Sequence, residues 1–177
     1  LAYGENNEIN ALVNHGGRVD DFSYLVETAQ RRSDGFKKID RTHADTGFDL
    51  HDYLAKLGWE GERQSVLLKA QYSEETSDET YLGLTDVDFD NDAVRRYGLS
   101  SIDQMKNDHE GYSAVYRFAF NDMLSLTTTG YYNKFSRDWF KLDGGGALVD
   151  AANEGDEEAI GVLHGSVDKD GLRYKHN

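Results

Sequence analysis

Apolar residues recur at every second position over stretches of some ten residues. Tyr112, Ala114, Tyr116, Phe118 and Phe120 lead into Asn121-Asp122-Met123, and Leu124, Leu126, Thr128, Gly130 and Tyr132 lead out. A period of two marks β-strands, whose successive side chains point to opposite faces. Folded antiparallel about 121–123, these residues all fall on one side of the sheet. The other side reads Ser113, Val115, Arg117 and Ala119 against Ser125, Thr127, Thr129 and Tyr131. A second hairpin repeats the plan: Tyr53, Ala55, Leu57 and Trp59, then Gly61-Glu62-Arg63, then Val66, Leu68, Ala70 and Tyr72. A weaker third runs Ile9, Ala11 and Val13, then Phe22, Tyr24 and Val26, around Gly16-Gly17-Arg18-Val19-Asp20.

The pattern predicts strands near 7–15, 22–32, 48–60, 64–75, 109–120 and 124–140, with a seventh beginning near 171. Short connections at 16–21, 61–63 and 121–123 alternate with long ones at 33–47, 76–108 and 141–170. In an up-and-down meander that alternation gathers all short turns on one rim and all long loops on the other, as in bacterial outer-membrane barrels. Aromatic rings mark the ends of the apolar bands: Tyr53, Tyr72, Tyr112 and Tyr132 at one end, Trp59 and Phe120 at the other. Membrane barrels carry such girdles around an apolar band of about 25 Å. Eight steps from Tyr112 to Phe120, at roughly 3.3 Å each, span about 26 Å. The fold class expected is therefore all-β: an antiparallel up-and-down meander, part of a large transmembrane β-barrel. Six or seven strands fall short of the bacterial minimum of about eight, and a lipid-exposed edge leaves backbone groups unpaired. Residues 1–177 are thus expected to be one piece of a larger barrel.

Within the long connections, Thr85 followed by Asp88 resembles a capping box, as does Ser100 followed by Asp103, with Gly98 a natural stop between them. The 141–170 loop, with Gly144-Gly145-Gly146, reads as flexible.

Composition sharpens this picture. Mean hydropathy is −0.72, and no apolar run approaches the roughly 18 residues of a membrane helix. That leaves a barrel open, because only alternate strand residues need be apolar. With no cysteine, thiol chemistry and Cys-based zinc sites are excluded. Residues 74–92 carry eight acids and 143–158 six more, with no Lys or Arg in either stretch, and together they equal the net charge of −14. Acid gathered in loops argues against nucleic acid, whose binders need basic surfaces. No basic-apolar leader precedes the first strand.

The stretch Ser77-Asp78-Glu79-Thr80-Tyr81-Leu82-Gly83-Leu84-Thr85, continuing through Asp88-Phe89 to Arg95-Arg96-Tyr97, resembles TonB-dependent outer-membrane receptors of the ferric citrate (siderophore) type. Leu126-Thr127-Thr128-Thr129, Tyr132-Asn133, Phe135, Arg137 and Trp139-Phe140-Lys141-Leu142 extend the resemblance, as do Gly47-Phe48 and Ala55-Lys56-Leu57. It covers roughly residues 20–142. The resemblance implies a 22-stranded barrel in the bacterial cell outer membrane, plugged by an N-terminal domain that contacts TonB, importing ferric chelates. Neither the plug nor a TonB-contacting motif is visible in this sequence. Its partners would be outer-membrane lipid, the ferric chelate and, through the plug, TonB.

Candidate sites lie in the long connections. Asp86, Asp88 and Asp90 match the first alternate positions of a calcium loop, but Asn91 stands where that loop needs Gly and Tyr97 where it needs Glu. A looser calcium site would use Asp86, Asp88, Asp90 and Asp92; the competing reading is a solvated acidic helix start. Arg95, Arg96, Tyr97 and Arg137 are the candidates for holding an anionic chelate, since guanidinium groups supply forked, charge-assisted donors. The alternative for the arginine pair is neutralisation of the neighbouring aspartates. Six scattered histidines lack metal-ligand spacing, and no nucleophile motif occurs, so an enzyme is not expected. The other candidate architecture is a soluble or surface-displayed β-sandwich binding module, calcium-binding in one form, with the oily faces buried internally.

Overall fold

The computed structural model describes all of residues 1–177. Ten strands, three helices and a 3₁₀ turn follow in the order β1 (Ala2–Tyr3), β2 (Ile9–Val19), β3 (Phe22–Ser33), β4 (Lys38–Ile39), β5 (Phe48–Glu60), β6 (Gln64–Asp78), α1 (Asp86–Asn91), β7 (Arg95–Arg96), the 3₁₀ turn Gly98–Ser100, β8 (Gln104–Ala119), β9 (Ser125–Leu142), α2 (Gly145–Asn153), α3 (Glu157–His164) and β10 (Tyr174–His176). Eight of the strands form one antiparallel sheet in the order β1-β2-β3-β5-β6-β8-β9-β10, while β4 and β7 pair parallel in the loops. The chain is all-β in character, and β1 does not meet β10, so the sheet is open.

The register reproduces the expected oily face. Tyr53 stands opposite Tyr72, Ala55 opposite Ala70 and Leu57 opposite Leu68; Tyr112 stands opposite Tyr132, Ala114 opposite Gly130 and Phe118 opposite Leu126. The pairing of β6 with β8 joins the two hairpins on the same parity, Leu68 against Ala114 and Ala70 against Tyr112. That step displaces the tyrosine row by two residues between hairpins, the stagger expected of strands that tilt in a curved sheet. No second layer lies on this face: Leu57 is 59% exposed and Tyr112 52%. The sandwich alternative therefore has no counterpart in the fold.

The strands are longer than the apolar alternation alone indicates. β8 begins at Gln104 rather than near 109, and β6 runs to Asp78. Their loop-side ends are polar on both faces, which hides them from a hydrophobic pattern. The first connection also differs. The expected turn at 16–21 contracts to Asp20-Asp21, with Val19 opposite Phe22 and Asp20 at φ +51°. Gly16 and Gly17 lie inside β2. At Gly17 the ring of Tyr24 from the opposite strand fills the space where a side chain would stand, so the glycine accommodates an aromatic neighbour.

The long connections hold what the sheet lacks, a conventional core. Leu82, Tyr97, Leu142, Leu148, Ala152, Ala159, Val162 and Leu163 form one buried cluster. Of the 18 buried residues only Gly111 sits in the body of the sheet. The stretch 141–170, which its glycines mark as flexible, instead supplies α2 and α3, and these two helices carry five of the eight residues of this cluster. Leu148 and Ala152, and Ala159, Val162 and Leu163, recur at helical spacing. Asp156 caps α3, accepting from the Ala159 amide at 3.0 Å, and Gly165 at φ +66° closes it in the left-handed conformation that glycine tolerates. In the 76–108 connection the Thr85 cap forms as expected, its hydroxyl accepting from the Asp88 amide at 3.2 Å to start α1. Ser100 and Asp103 do not cap a helix; Gly98 and Ser100 belong to the 3₁₀ turn, and Asp103 turns back to accept from the Tyr81 amide at 3.1 Å.

Candidate functional site

Three long loops meet above one rim of the sheet, and a single carboxylate ties them together. Asp88, capped by Thr85 on α1, is 6% exposed. Its Oδ2 accepts from the Tyr97 hydroxyl at 2.6 Å and the Thr85 hydroxyl at 3.1 Å, and it lies 2.8 Å from Nε2 of His164 at the end of α3. Its Oδ1 pairs with the Arg95 guanidinium at 2.6 Å. Burial by itself would push this carboxyl up. The bonds from Tyr97, His164 and Thr85 and the charge of Arg95 overcome that and hold it at about 2. Arg95 then reaches the first long loop: Nε and Nη2 grip Asp40 at 2.9–3.1 Å. The β4–β7 ladder sets that reach, because Lys38 opposite Arg95 and Ile39 opposite Arg96 leave Asp40 beside the arginine. Arg41 adds a second tie, donating to the Gly165 carbonyl at 2.8 Å.

These contacts redistribute the residues expected to bind a chelate. Arg95 is spent between two aspartates, so the neutralisation alternative describes it. Tyr97 is fully buried in the cap core, its hydroxyl also accepting from the Thr85 amide at 3.0 Å. Arg96 donates to the Ala93 carbonyl at 2.9 Å. Arg137 alone of the four is exposed. It stands on the inner, polar face of β9, its guanidinium 4.3 Å from the Trp139 ring centroid, a cation–π geometry.

Around it lies a patch that sequence reasoning caught only in part. Lys141 Nζ lies 5.3 Å from the Trp139 ring centroid and 5.5 Å from that of Tyr81, and the Tyr81 and Trp139 rings are 6.0 Å apart. Burial, with Glu79 and Asp103 nearby, pushes the Tyr81 hydroxyl up to about 12, so it stays a neutral donor. A cavity of about 280 Å³ adjoins, lined by Tyr81, Asp103, Lys141, Lys175 and the glycines that open α2. Lys175 there is paired with Asp143 at 2.7 Å. The available signal was the period of two in Phe135, Arg137, Trp139 and Lys141, which puts all four on one face of β9.

The four aspartates considered for calcium are not brought together. Asp88 turns inward, while Asp86, Asp90 and Asp92 are exposed, and Asp92 accepts from the Val94 amide at 3.1 Å. No three His, Asp or Glu side chains converge as a metal site.

The sheet itself is the second candidate region. Exposure alternates along β5 and β8 in an unusual sense: Ala55, Leu57, Tyr112, Ala114 and Tyr116 are exposed, while Leu54, Lys56, Ser113 and Val115 between them are half-buried. The polar face is the more covered one, as on the inside of a curved sheet. It carries Glu27, Asp52, Lys69, Gln71 and His109 around a depression of about 390 Å³. Toward the short turns Arg18 and Glu60 pair across this face at 2.8 Å. The apolar face has a sharp upper boundary. One step beyond the tyrosine row it turns to His51, Glu74, Glu110 and Lys134.

No protein-family model, curated protein or solved structure matches the chain.

Proposed function

We propose that this chain is part of the wall of a TonB-dependent outer-membrane receptor barrel, with its oily face against lipid and its long loops outside, serving uptake of a ferric chelate. The observation that supports it most is the inversion of exposure. A sheet in water covers its apolar face and wets its polar one; here, along 53–57 of β5 and 112–116 of β8, the apolar face is open and the polar face half-buried, while β9 from Ser125 to Arg137 is exposed on both faces. Hydrocarbon is the solvent in which that arrangement is favourable, because apolar surface left in water costs roughly 25 cal/mol per Å². The tyrosine row and the change to charged residues beyond it give the band the edge that a bilayer boundary requires. No helix is long and apolar enough to cross a membrane.

Spin labels at successive positions from Tyr112 to Arg117 test the lipid assignment in outer membranes. Labels at Tyr112, Ala114 and Tyr116 relax preferentially with oxygen, which partitions into lipid; those at Ser113, Val115 and Arg117 respond to a water-soluble nickel chelate. A profile without this alternation rejects the membrane wall.

For the ligand, exposed Arg137 with half-buried Trp139 and Lys141 beside it is the part of this otherwise acidic protein suited to an anion. Arg137→Ala weakens binding of an anionic ferric chelate by about tenfold, the scale of one charge-assisted contact of about 1.4 kcal/mol. Unchanged affinity in a binding titration removes Arg137 from the ligand site.

A further inference from the structure

We propose that the loop-side end of the sheet carries a second binding site, on the face opposite Arg137, and that it takes a saccharide through one pyranose ring. The site stands on the strand register and does not depend on what covers the oily face below it. Asp78 stands opposite Gln104, Gln104 opposite Phe140 and Phe140 opposite His176, so one row crosses β6, β8, β9 and β10. The next row toward the short turns pairs Lys106 with Asp138. Both rows share the parity of Tyr112 and Tyr132 and continue that side of the sheet. Phe140 lies eight residues, roughly 26 Å along β9, beyond Tyr132. There these side chains, with Ser101 and Ile102 of the neighbouring loop, line a cavity of about 430 Å³, a volume in the range of small-molecule sites.

An aromatic ring sits between two fixed polar pairs. Phe140 is half-buried, its ring centroid 5.7 Å from that of Tyr174 and 4.8 Å from that of His176. Toward β8, Gln104 donates to Asp78 at 3.0 Å; toward β10, His176 Nδ1 lies 2.6 Å from Asp138 Oδ2. Each pair spends one bond within the wall and keeps others: Gln104 a carbonyl oxygen and a second N–H, Asp138 its Oδ1. A pyranose matches that arrangement. Its flat side presents C–H groups, which the negative face of an aromatic ring attracts, and its rim presents hydroxyls, each able to donate and to accept. A metal ion fits less well, because no three acidic or histidine side chains converge. An anion fits less well too, since Lys106 is one cation beside the carboxylates of Asp78 and Asp138.

Saturation-transfer NMR on the full chain tests this. The probes are the methyl glycosides of glucose, galactose and mannose, and the core oligosaccharide freed from lipopolysaccharide by mild acid. Saturation of the protein should pass to the ring C–H protons of at least one probe. Phe140→Ala and Gln104→Ala should each weaken that binding about tenfold, the scale of one lost contact, while Phe140→Tyr, which keeps the ring, retains it. Gln104→Ala leaves the ring and its ladder in place and decides the matter should Phe140→Ala misfold. No transfer to any probe, binding unchanged in Gln104→Ala, or displacement of the sugar by calcium or inorganic phosphate overturns the proposal. Vesicles separate the two sources of such a sugar. Displacement of the oligosaccharide by lipopolysaccharide vesicles, and not by vesicles of phosphatidylethanolamine and phosphatidylglycerol, supports the site with a lipid-borne sugar; displacement by neither supports it with a soluble one. Displacement by the phospholipid vesicles, which carry no sugar, overturns it.

Discussion

The sheet and the loop cap above it solve opposite problems with one chain. In the cap, Leu163, Val162 and Tyr97 are buried to 2% exposure or less, and its central charge, Asp88, is held by four side chains. In the sheet, Leu57 and Tyr112 are more than half exposed, and order comes from long backbone ladders: thirteen residue pairs between β5 and β6, fifteen between β6 and β8, sixteen between β8 and β9. The cap is built like a small protein in water, with its own apolar interior and a hydrogen-bonded central charge. The inner strands of the sheet have paired their backbone and left their apolar side chains for something else to cover. A hydrophobic pattern thus reports which side chains leave water, and not whether protein or lipid receives them.

That contrast can be broken from either side. Leu163→Ala should do the most damage, about 2–5 kcal/mol from lost burial and the cavity left behind. Because Leu163 belongs to the cap cluster, protection from hydrogen exchange should fall in 82–103 and 145–165 while the β5–β9 ladders keep theirs. Loss of protection across the ladders as well would show that sheet and cap are one cooperative unit.

The converse substitution belongs in the sheet. Ala114→Arg on the oily face, between the tyrosine row and the bilayer midplane, should cost about 1–3 kcal/mol of folding into lipid vesicles, the depth-dependent penalty for a cation there. Ser113→Arg, one residue away on the sheltered face, should cost well under that. Equal costs would mean that the two faces see the same solvent.

Acid should separate the two regions by a smaller margin. The Asp88 carboxyl lies at about 2 in the folded cap against 3.8 ordinarily. Below 3.8 the unfolded cap therefore takes up the proton first. The associated stability, roughly 2 kcal/mol, is fully present above about pH 5 and drains away as pH falls toward 2. Near-UV circular dichroism from the buried Tyr97 should report that loss, and Asp88→Asn should flatten it. A pH profile unchanged by Asp88→Asn would take the carboxylate out of the linkage.

Much of the sheet is legible before any coordinates. The alternation in 112–120 and 124–132 fixes the β8–β9 register to the residue, because a slip of one would send Tyr112 and Tyr132 to opposite faces. Thr85 and Asp88 announce α1 for an equally local reason, a hydroxyl three residues from the amide that it caps. The first hairpin shows where local signals mislead. Gly16 and Gly17 look like a turn, yet the strand continues through them because the neighbouring Tyr24 packs into the room they leave.

By itself, then, the sequence determined the meander, the faces of its strands, the rim on which the long loops gather and the helix start at Thr85. Each of these depends on residues a few positions apart, and short-range spacing is what a chain displays directly. The bonds of Arg95 and Tyr97 inside the cap, the helices of 141–170 and the meeting of Arg137, Trp139, Lys141 and Tyr81 in one patch emerge only in three dimensions. Asp40 and Arg95 are 55 positions apart, and Asp88 and His164 are 76. Pairings over such separations exist only once the sheet has brought its loops to one rim.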